Sequence, residues 1–421
     1  MMKTNLDRII NDIETLATFN ATPGEGVTRS SYSKEDQQAK DYLKKEMEKI
    51  GLEVWEDEFA TLFGRREGKD PDAPAIMIGS HYDSVVNGGA FDGAAGVVAA
   101  LETLRVFEEN NIEHDYPIEI IAMNAEEGET FGSGSGVSNS RAMVGTLTQE
   151  ELDLKKNRFG ETKREAMKKY GLVPDLEAAK RDLSKIKSFI ELHIEQGPNL
   201  EAQNKDIGLV EYLPGIGRYI VKFYGEVADS TAPMNNRKDA LLAASKFTLA
   251  VNRIINELGE GITGAVGEMH VTPNSHQFVP EFAEVAVEVR TMDPELVEKM
   301  NLLDEFKKEI KTIEAETNVK IELTERARMG YSNPTPPSVM DKDTVSLMEE
   351  VCKDLDYSYM IINKGTGHDA MITAEFIPTN MIYVPSKDGI SHHPDEWTDY
   401  EDLQKGADVM LHTVKKLSKK D

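Results

Sequence analysis

Four short apolar runs constrain the fold of this chain more than any other feature of its sequence. They span residues 75–78, 118–123, 189–192 and 381–384, and each ends in a polar cluster. Apolar runs of this length, separated by helical patterns, are typical of strands buried on both faces of a parallel sheet. One helical pattern covers residues 34–50. Ser33, just before it, and Asp36, three residues later, resemble a capping box. The sequence therefore predicts an α/β domain with a mostly parallel sheet.

Residue types that bind metal ions follow each of these apolar runs. They are His81, Asp83 and Asp92 after the first run, Glu126 and Glu127 after the second, His193 after the third, and His392 and His393 after the fourth. Open α/β folds place their ligands at the carboxyl ends of parallel strands. We therefore expect these side chains to converge at one edge of the sheet, although they come from positions more than 300 residues apart.

The residue types in this set favour a hydrolytic metal centre. Imidazole and carboxylate together suit zinc, manganese, cobalt or nickel, and the absence of thiolates argues against a closed structural zinc site. One carboxylate that bridges two ions, with another left unliganded, supports hydrolysis. The side chains of Glu126 and Glu127 diverge because the residues are adjacent, so one can bind metal while the other faces the water. Asp83 is placed to accept the second ring proton of His81.

Each of these signals has an ordinary alternative. A single His-x-Asp pair usually occurs on the surface by chance and binds no metal, and adjacent glutamates in an acidic chain are usually solvated. His193 alone is equally compatible with a hydrogen-bonded core histidine. The joint occurrence favours the metal site, because five of the nine histidines lie at strand ends: His81, His193, His368, His392 and His393.

Composition excludes several classes of partner. The 421 residues carry a formal charge of −27, which repels nucleic acid phosphates and anionic lipids. Cys352 is the one cysteine, so an intrachain disulfide is impossible and a reducing compartment fits. Residues 1–10 carry charges and no signal-like apolar run, and no stretch reaches the roughly 18 apolar residues of a membrane span. We expect a cytoplasmic protein with no membrane or nucleic acid partner.

The middle of the chain predicts a second domain. Its pattern is strand 218–223, helix 237–258, strands 264–271 and 284–291, helix 294–315 and strand 319–323. This β-α-β-β-α-β order is typical of a small α+β sheet with two helices on one face, as in ferredoxin-like folds. We predict a catalytic domain of residues 1–212 and 331–421, with an inserted domain of residues 213–330.

Motifs along nearly the whole chain resemble the hydantoinase/carbamoylase amidases. The matching runs are residues 26–29, 79–84, 91–93, 126–128, 131–134, 140–143, 191–198, 233–234, 237–240, 367–370 and 389–396. The run His-Ile-Glu-Gln-Gly-Pro at 193–198 is especially specific. This group includes N-carbamoyl-L-amino acid hydrolases, β-ureidopropionases and allantoate amidohydrolases, and it is related to dinuclear metal aminoacylases and dipeptidases.

The resemblance implies a role for each matching residue. One ion would be held by His81, Asp92 and His193, and the other by Asp92, Glu127 and His392, with Glu126 as general base. His392, and not His393, matches the family ligand. The family positions near the substrate are Gln196, Gln277, Arg290, Gly365 and Thr366, of which Arg290 would clamp a carboxylate.

One departure from the family pattern concerns a histidine that reaches the active site in relatives. This chain has Val-Ala-Asp-Ser-Thr-Ala at 227–232, one residue shorter and without that histidine. Such a donor is worth about 10²–10³ in rate in other enzymes. A second departure is Gln277, which replaces an asparagine. Whether His270 or His276 supplies the missing donor, or both are ordinary polar residues, stays open.

The resemblance implies a metal-dependent amidohydrolase that cleaves the amide or ureido C–N bond of a small N-carbamoyl amino acid. Two divalent ions would activate water, with Glu126 as general base. Two alternatives remain: an N-acyl amino acid hydrolase or dipeptidase with the same machinery, and a metal-holding binding protein weakened by the lost histidine. The family also implies that the inserted domain is a lid and pairs two subunits. The apolar stripe within residues 237–258 fits either that contact or packing on its own sheet.

Overall fold

The chain folds as two compact units, the second inserted into the sequence of the first. The computed structural model describes residues 2–132, 135–154, 156–325, 333–363 and 367–420. One unit comprises Met1–Leu213 and Ser338–Asp421, and the other comprises Pro214–Pro337. Proline therefore stands at both ends of the inserted unit, where its fixed φ and missing N–H interrupt regular structure.

Both units contain a β-sheet. Those of the described residues are β1 Glu53–Glu56, β2 Leu62–Arg66, β3 Ala75–His81, β4 Ile118–Met123, β5 Ile186–Ile194, β6 Ile207–Val210, β7 Tyr212–Leu213, β8 Gly215–Tyr224, β9 Ala228–Asp229, β10 Ile262–Thr272, β11 Phe278–Val279, β12 Phe282–Thr291, β13 Lys320–Glu325, β14 Ser338–Val339, β15 Tyr359–Ile362 and β16 Thr379–Val384. The large sheet of the first unit has the order β1-β2-β4-β3-β5-β16-β6-β15. Its central strands β4, β3, β5 and β16 are parallel. The predicted α/β domain with a mostly parallel sheet is confirmed.

Helices cover the sheets. The α-helices of the described residues are α1 Leu6–Thr18, α2 Lys34–Lys49, α3 Ala94–Glu109, α4 Ser138–Val144, α5 Gln149–Leu154, α6 Lys163–Tyr170, α7 Leu176–Ala179, α8 Asn199–Ala202, α9 Ala240–Leu258, α10 Leu303–Thr317, α11 Lys342–Leu355, α12 Asp369–Thr373 and α13 Tyr400–Leu417. Across the described ranges, no helix combines the length and the apolar character needed to cross a membrane.

Helix α3 fixes the position of the loop that precedes it. All its residues from Ala94 to Phe107 are buried. A Cβ atom at Gly96 would lie 2.2 Å from the main-chain oxygen of Leu192, so glycine lets the helix approach β5 closely. Asp92 lies two residues before this helix and is therefore carried on a rigid element.

The start of α2 departs in one detail from the predicted capping box. The Ser33 hydroxyl accepts a hydrogen bond from the Asp36 N–H, as a cap does. The Asp36 carboxylate does not accept from the Ser33 main-chain N–H, as a capping box requires. Its Oδ2 atom accepts instead from the Asn124 amide at 3.2 Å. Asp36 is fully buried, so it joins α2 to the end of β4.

The inserted unit is a four-stranded antiparallel sheet with two helices. The sheet order is β10-β12-β8-β13. Buried and partly exposed residues alternate along β8 and β12, because one face of each strand packs on α9 and α10 and the other does not. With its β-α-β-β-α-β order this unit has the ferredoxin-like topology that the sequence predicts.

The predicted second helix of this unit is interrupted. A 3₁₀ helix covers Pro294–Met300, and α10 begins at Leu303. The Tyr219 hydroxyl donates to the Met300 carbonyl at 2.8 Å and accepts from the Leu302 N–H at 3.0 Å. A side chain from β8 thus replaces the bonds that would continue the helix. Such a contact is set by tertiary packing and leaves no trace in local periodicity.

Candidate active site

The carboxyl ends of four neighbouring strands bring the predicted ligands together. His81 is the last residue of β3 and pairs with Met123, the last residue of β4. His193 lies near the end of β5 and pairs with Tyr383 of β16. Glu126 and Glu127 follow β4, and His392 follows β16. All these segments meet at one edge of the sheet because the four strands are parallel.

Asp92 lies among three imidazoles. Its Oδ1 atom is 2.9 Å from Nε2 of His193 and 3.4 Å from Nε2 of His81. Its Oδ2 atom is 2.9 Å from Nε2 of His392. One carboxylate thus offers one oxygen to two histidines and the other oxygen to a third. A carboxylate that bridges two metal ions needs this arrangement.

Two groups of ligand-type side chains share Asp92. One group is His81, Asp92 and His193; the other is Asp92, Glu127 and His392, and the ligand atoms of each group lie within 4.8 Å of one another. The Glu127 Oε1 atom is 3.5 Å from Nε2 of His392. Within the described ranges this buried oxygen has no hydrogen-bond partner. The side chain of His392 is 47% exposed, so the second group is open to solvent on one side.

Main-chain oxygens orient the two buried imidazoles. Nδ1 of His81 lies 3.1 Å from the Asp83 carbonyl oxygen, and Nδ1 of His193 lies 2.9 Å from that of Ile194. An imidazole that donates through Nδ1 presents the lone pair of Nε2. Both Nε2 atoms face Asp92. Gly93 leaves room for the His81 ring, because a Cβ atom there would lie 2.3 Å from its Cε1 atom.

Asp83 ties the His81 loop to the glutamate loop. We predict above that its carboxylate accepts the ring proton of His81, but Oδ1 lies 3.5 Å from Nδ1, and the Asp83 main-chain oxygen is the closer acceptor. The carboxylate accepts instead from the N–H groups of Glu126 and Glu127, each at 3.2 Å, and from the Ser31 hydroxyl at 2.8 Å. Asp83 is fully buried and sets the direction of both glutamates.

Glu126 belongs to neither ligand group. Its Oε2 atom is 3.9 Å from Nε2 of His81, and its side chain is 10% exposed. Burial raises the pKa of Glu126 well above its ordinary value; His81 opposes this effect, and Asp369 adds to it. A raised pKa makes the carboxylate a stronger base, which suits the acceptance of a proton from water.

The donor set fits two divalent cations. Burial raises the pKa of Glu127, and the nearby carboxylates of Asp92 and Glu126 raise it further. Buried carboxylates that face one another need a cation to offset their repulsion. The unpartnered Oε1 atom of Glu127 and the inward Nε2 atoms of the histidines are suitable ligands. Imidazole and carboxylate donors without thiolate suit zinc, manganese, cobalt or nickel.

Of the predicted substrate residues, Gln196 lies beside the ligand groups. Its Nε2 atom donates to Asp92 Oδ2 at 2.9 Å and to the Ser391 hydroxyl at 3.0 Å. Its backbone is left-handed, with φ of 53°, which turns the side chain at the end of β5. Gly365 and Thr366, also predicted to contact substrate, lie outside the described residues.

Arg290 lies on β12 of the inserted unit. Its Nε atom donates to Glu288 Oε1 at 2.7 Å, and the other oxygen of Glu288 accepts from Arg218 at 2.7 Å. The side chain of Arg290 is 37% exposed. The two arginines and the glutamate form one partly solvated ion cluster on this sheet.

The segment that lacks the family histidine pairs with the segment of Gln277. Strand β9 pairs with β11, and the main-chain oxygen of Gln277 accepts from the Ser230 N–H at 2.9 Å. His276 is exposed. His270 is exposed on β10 and lies 2.6 Å from Glu268 through its Nε2 atom. The structure thus gives His270 a carboxylate neighbour on its own strand.

Glu396 is a site residue to which the sequence analysis assigns no role. It is 4% exposed, and its carboxylate accepts from the N–H groups of Asp92 and His392. The signal was present in the chain, because Glu396 closes the matching run at 389–396, four residues after His392. Only the folded geometry reveals which donors it meets.

Known proteins with similar sequences are hydrolases. The model of Peptidase family M20/M25/M40 matches residues 77–416. The N-carbamoyl-L-amino-acid amidohydrolase of Paenarthrobacter aurescens is 37% identical over 422 residues, with 100% of both chains covered. The ureidoglycolate hydrolase of Arabidopsis thaliana is 31% identical over 415 residues, which are 97% of this chain and 86% of the relative.

A solved structure agrees with these relatives. The crystal structure of an amidase of the hydantoinase/carbamoylase family from Burkholderia multivorans matches with a TM-score of 0.84 and 32% identity, covering 99% of both chains. The predicted resemblance and the predicted fold class are confirmed. The chain belongs to Peptidase family M20/M25/M40 and, within it, to the hydantoinase/carbamoylase family of amidases.

Proposed function

We propose that this amidohydrolase cleaves the ureido C–N bond of a small N-carbamoyl amino acid. His81, Asp92 and His193 would hold one divalent ion, and Asp92, Glu127 and His392 a second. The observation that carries the proposal is the two-sided contact of Asp92, whose oxygens face different histidines. The names of two relatives, an N-carbamoyl-L-amino-acid amidohydrolase and a ureidoglycolate hydrolase, support a ureido substrate.

Glu126 acts as the proton carrier in this proposal. Bound divalent ions would lower the pKa of a water molecule and polarise the substrate carbonyl. Glu126 accepts a proton from the attacking water and delivers it to the amino nitrogen as the C–N bond breaks. The products are the amino acid and carbamate, which decomposes to carbon dioxide and ammonia. Asp83 supports this role by fixing the main chain of Glu126.

Polar side chains and main-chain groups would bind the substrate. The proposed contacts are Gln196, Gln277, Arg290, Gly365 and Thr366. Arg290 would bind the substrate carboxylate, because a guanidinium group matches a carboxylate with two parallel hydrogen bonds. Arg290 donates to Glu288, which also accepts from Arg218. If Arg290 bound a substrate carboxylate, Glu288 would therefore still be paired with Arg218.

The metals and the cellular location are further parts of the proposal. Zinc, manganese, cobalt and nickel all suit the donor set. We place the enzyme in the cytoplasm, where the lone buried Cys352 would stay reduced.

The inserted unit is proposed as a lid and as the contact between two subunits. The stripe within residues 237–258 does not supply that contact: Phe247, Val251 and Ile254 are buried in the core of the unit itself. The opposite face of α9 exposes Leu249 at 72%. Strand β10 is an edge of its sheet, and most of its residues are exposed. An exposed edge strand and an exposed leucine each suit a contact with a second copy.

Product analysis tests the substrate proposal. Protein loaded with zinc, manganese or cobalt is incubated with N-carbamoyl amino acids, ureidopropionate, allantoate, ureidoglycolate, N-acetyl amino acids and dipeptides. We expect ammonia together with the free amino acid from at least one ureido compound. Release of amine without ammonia, from acetyl amino acids or dipeptides alone, would contradict the proposal and identify an acylase or dipeptidase.

A further inference from the structure

We propose that Glu396 is a positioning residue that joins the Asp92 loop to the His392 loop and thereby sets the affinity for the second metal ion. The inference rests on the proposed function, because it assumes that Asp92, Glu127 and His392 bind that ion. Glu396 itself is not a ligand in either group of the described residues.

Four hydrogen bonds converge on the Glu396 carboxylate. Oε1 accepts from the N–H groups of Phe91 at 3.1 Å and Asp92 at 3.0 Å. Oε2 accepts from the Ser391 hydroxyl at 3.0 Å and from the His392 N–H at 3.3 Å. One oxygen therefore holds the first loop and the other holds the second. Since the carboxylate is buried, each of these bonds is shielded from competing water.

The sequence makes room for this carboxylate. A Cβ atom at Gly89 would lie 2.1 Å from Glu396 Oε1, far inside van der Waals contact. Glycine at position 89 is therefore a requirement of the Glu396 position. The ring of Phe91 packs edge-on against Trp397 at 5.3 Å between centroids, which adds an apolar link between the same two loops.

His392 depends on this support more than the other ligands do. Its backbone is left-handed, with φ of 56°, a strained conformation for a residue other than glycine. Its side chain is 47% exposed, so packing alone does not hold the ring. The bond from the His392 N–H to Glu396, and the bond from the Glu396 N–H to the His393 oxygen at 3.0 Å, fix the turn. Hydrogen bonds that orient ligands typically change metal affinity 10–100-fold.

The test is calorimetric titration of metal-free protein with zinc alone. Glu396→Gln keeps the size of the side chain, but its NH₂ group cannot accept, so one of the two loops loses its acceptor. We expect wild-type protein to bind two ions, and Glu396→Gln to bind the weaker ion 10–100-fold less tightly. Glu401→Gln, an exposed residue at the start of α13, is the control for lost charge and should match wild type.

A second variant and a spectrum separate positioning from general loss of structure. Gly89→Ala keeps the glutamate at position 396 but forces its side chain to shift, so it should weaken the binding of the same ion. With cobalt in place of zinc, both variants should change the visible absorption of the second ion while far-ultraviolet circular dichroism stays that of wild type. Normal affinities and unchanged cobalt spectra in both variants would overturn the inference. If wild-type protein bound fewer than two ions, the proposed metal centre would fail instead.

Discussion

The two units hold their charged side chains in opposite ways. In the first unit, Asp83 and Asp92 are buried; main-chain N–H groups of another loop bind the Asp83 carboxylate, and side chains of other segments bind that of Asp92. In the inserted unit, Arg218, Glu288 and Arg290 are each about one-third exposed, and both arginines bind the glutamate. Buried, pre-oriented groups favour one chemistry, whereas partly solvated groups rearrange at low cost. The candidate metal ligands thus belong to a buried, pre-oriented cluster, and Arg218, Glu288 and Arg290 to a partly solvated one.

One acid of the first unit and one acid of the inserted unit have pKa shifts of opposite direction. In the first unit, burial raises the pKa of Asp57 to about 6. In the inserted unit, the Thr231 main-chain N–H lowers the pKa of the exposed Asp229. Protonation therefore favours the fold around Asp57 and opposes it around Asp229.

The largest effect is expected from Asp92→Asn. The amide cannot offer two charged oxygens, so both ion sites lose their shared ligand. We expect less than one ion per chain by elemental analysis and a fall in kcat/KM of at least about 10⁴-fold, since each ion supplies several kcal/mol to the transition state. Retention of two ions would contradict the shared-ligand role.

Glu126→Gln should lose the reaction and keep the ions. The amide cannot accept a proton from water, so we expect kcat to fall by about 10²–10⁴-fold. Elemental analysis should still find the wild-type metal content, because Glu126 lies in neither ligand group. A near-normal rate would exclude Glu126 as the base.

Asp57→Asn should stabilise metal-free protein at neutral pH. The Asp57 pKa is about 6 in the folded state against an ordinary value of 3.8, so the folded state binds more protons between these values and stability falls as pH rises through that window. Asparagine stays neutral and keeps its Oδ1 acceptor for the N–H groups of Phe59 and Thr61. The expected gain is about 3 kcal/mol at pH 8 and falls below about 1 kcal/mol at pH 4.

Denaturant unfolding at pH 4 and pH 8 measures this difference, and Asp229→Asn is the control from the inserted unit. Because the Asp229 pKa is lowered, its stabilising contribution is present above the ordinary value and is lost as pH falls. The control should therefore lose stability at pH 8. Equal responses of the two variants would break the contrast between the units.

The smallest effect is expected from Arg290→Lys. Lysine keeps the charge but loses the fork that binds a carboxylate with two bonds. We expect KM to rise about 10-fold, equivalent to about 1.4 kcal/mol, with metal content unchanged. Steady-state kinetics on the best ureido substrate gives both constants. A changed kcat with an unchanged KM would place Arg290 in the reaction and contradict its proposed role in substrate binding.

Much of the fold could be predicted because local pattern determines it. The strand at 118–123 was predicted at its observed bounds, and the other three apolar runs lie within β3, β5 and β16. Contacts between distant elements could not be predicted in this way. The Tyr219 hydroxyl interrupts the helix predicted from residue 294, and the Asn124 amide donates a hydrogen bond to the Asp36 carboxylate. Both effects join segments about 80 or more residues apart, which periodicity cannot register.

The site shows the same limit. Residue type and strand-end position pointed to His81, Asp92 and His193 as neighbours, and the structure brings them together. The partner of the His81 ring was predicted to be the Asp83 carboxylate, but it is the Asp83 main-chain oxygen. Glu396 closes the matching run at 389–396, but its contacts depend on the folded paths of two loops, 304 positions apart at Asp92, so the motif alone could not show what it binds.

The most direct test of the account is anomalous diffraction from crystals of zinc-loaded protein. We expect two zinc peaks on opposite sides of the Asp92 carboxylate, one beside His81 and His193 and the other beside Glu127 and His392. A single peak, or two peaks that do not share Asp92, would contradict the claim that the first unit holds a dinuclear centre.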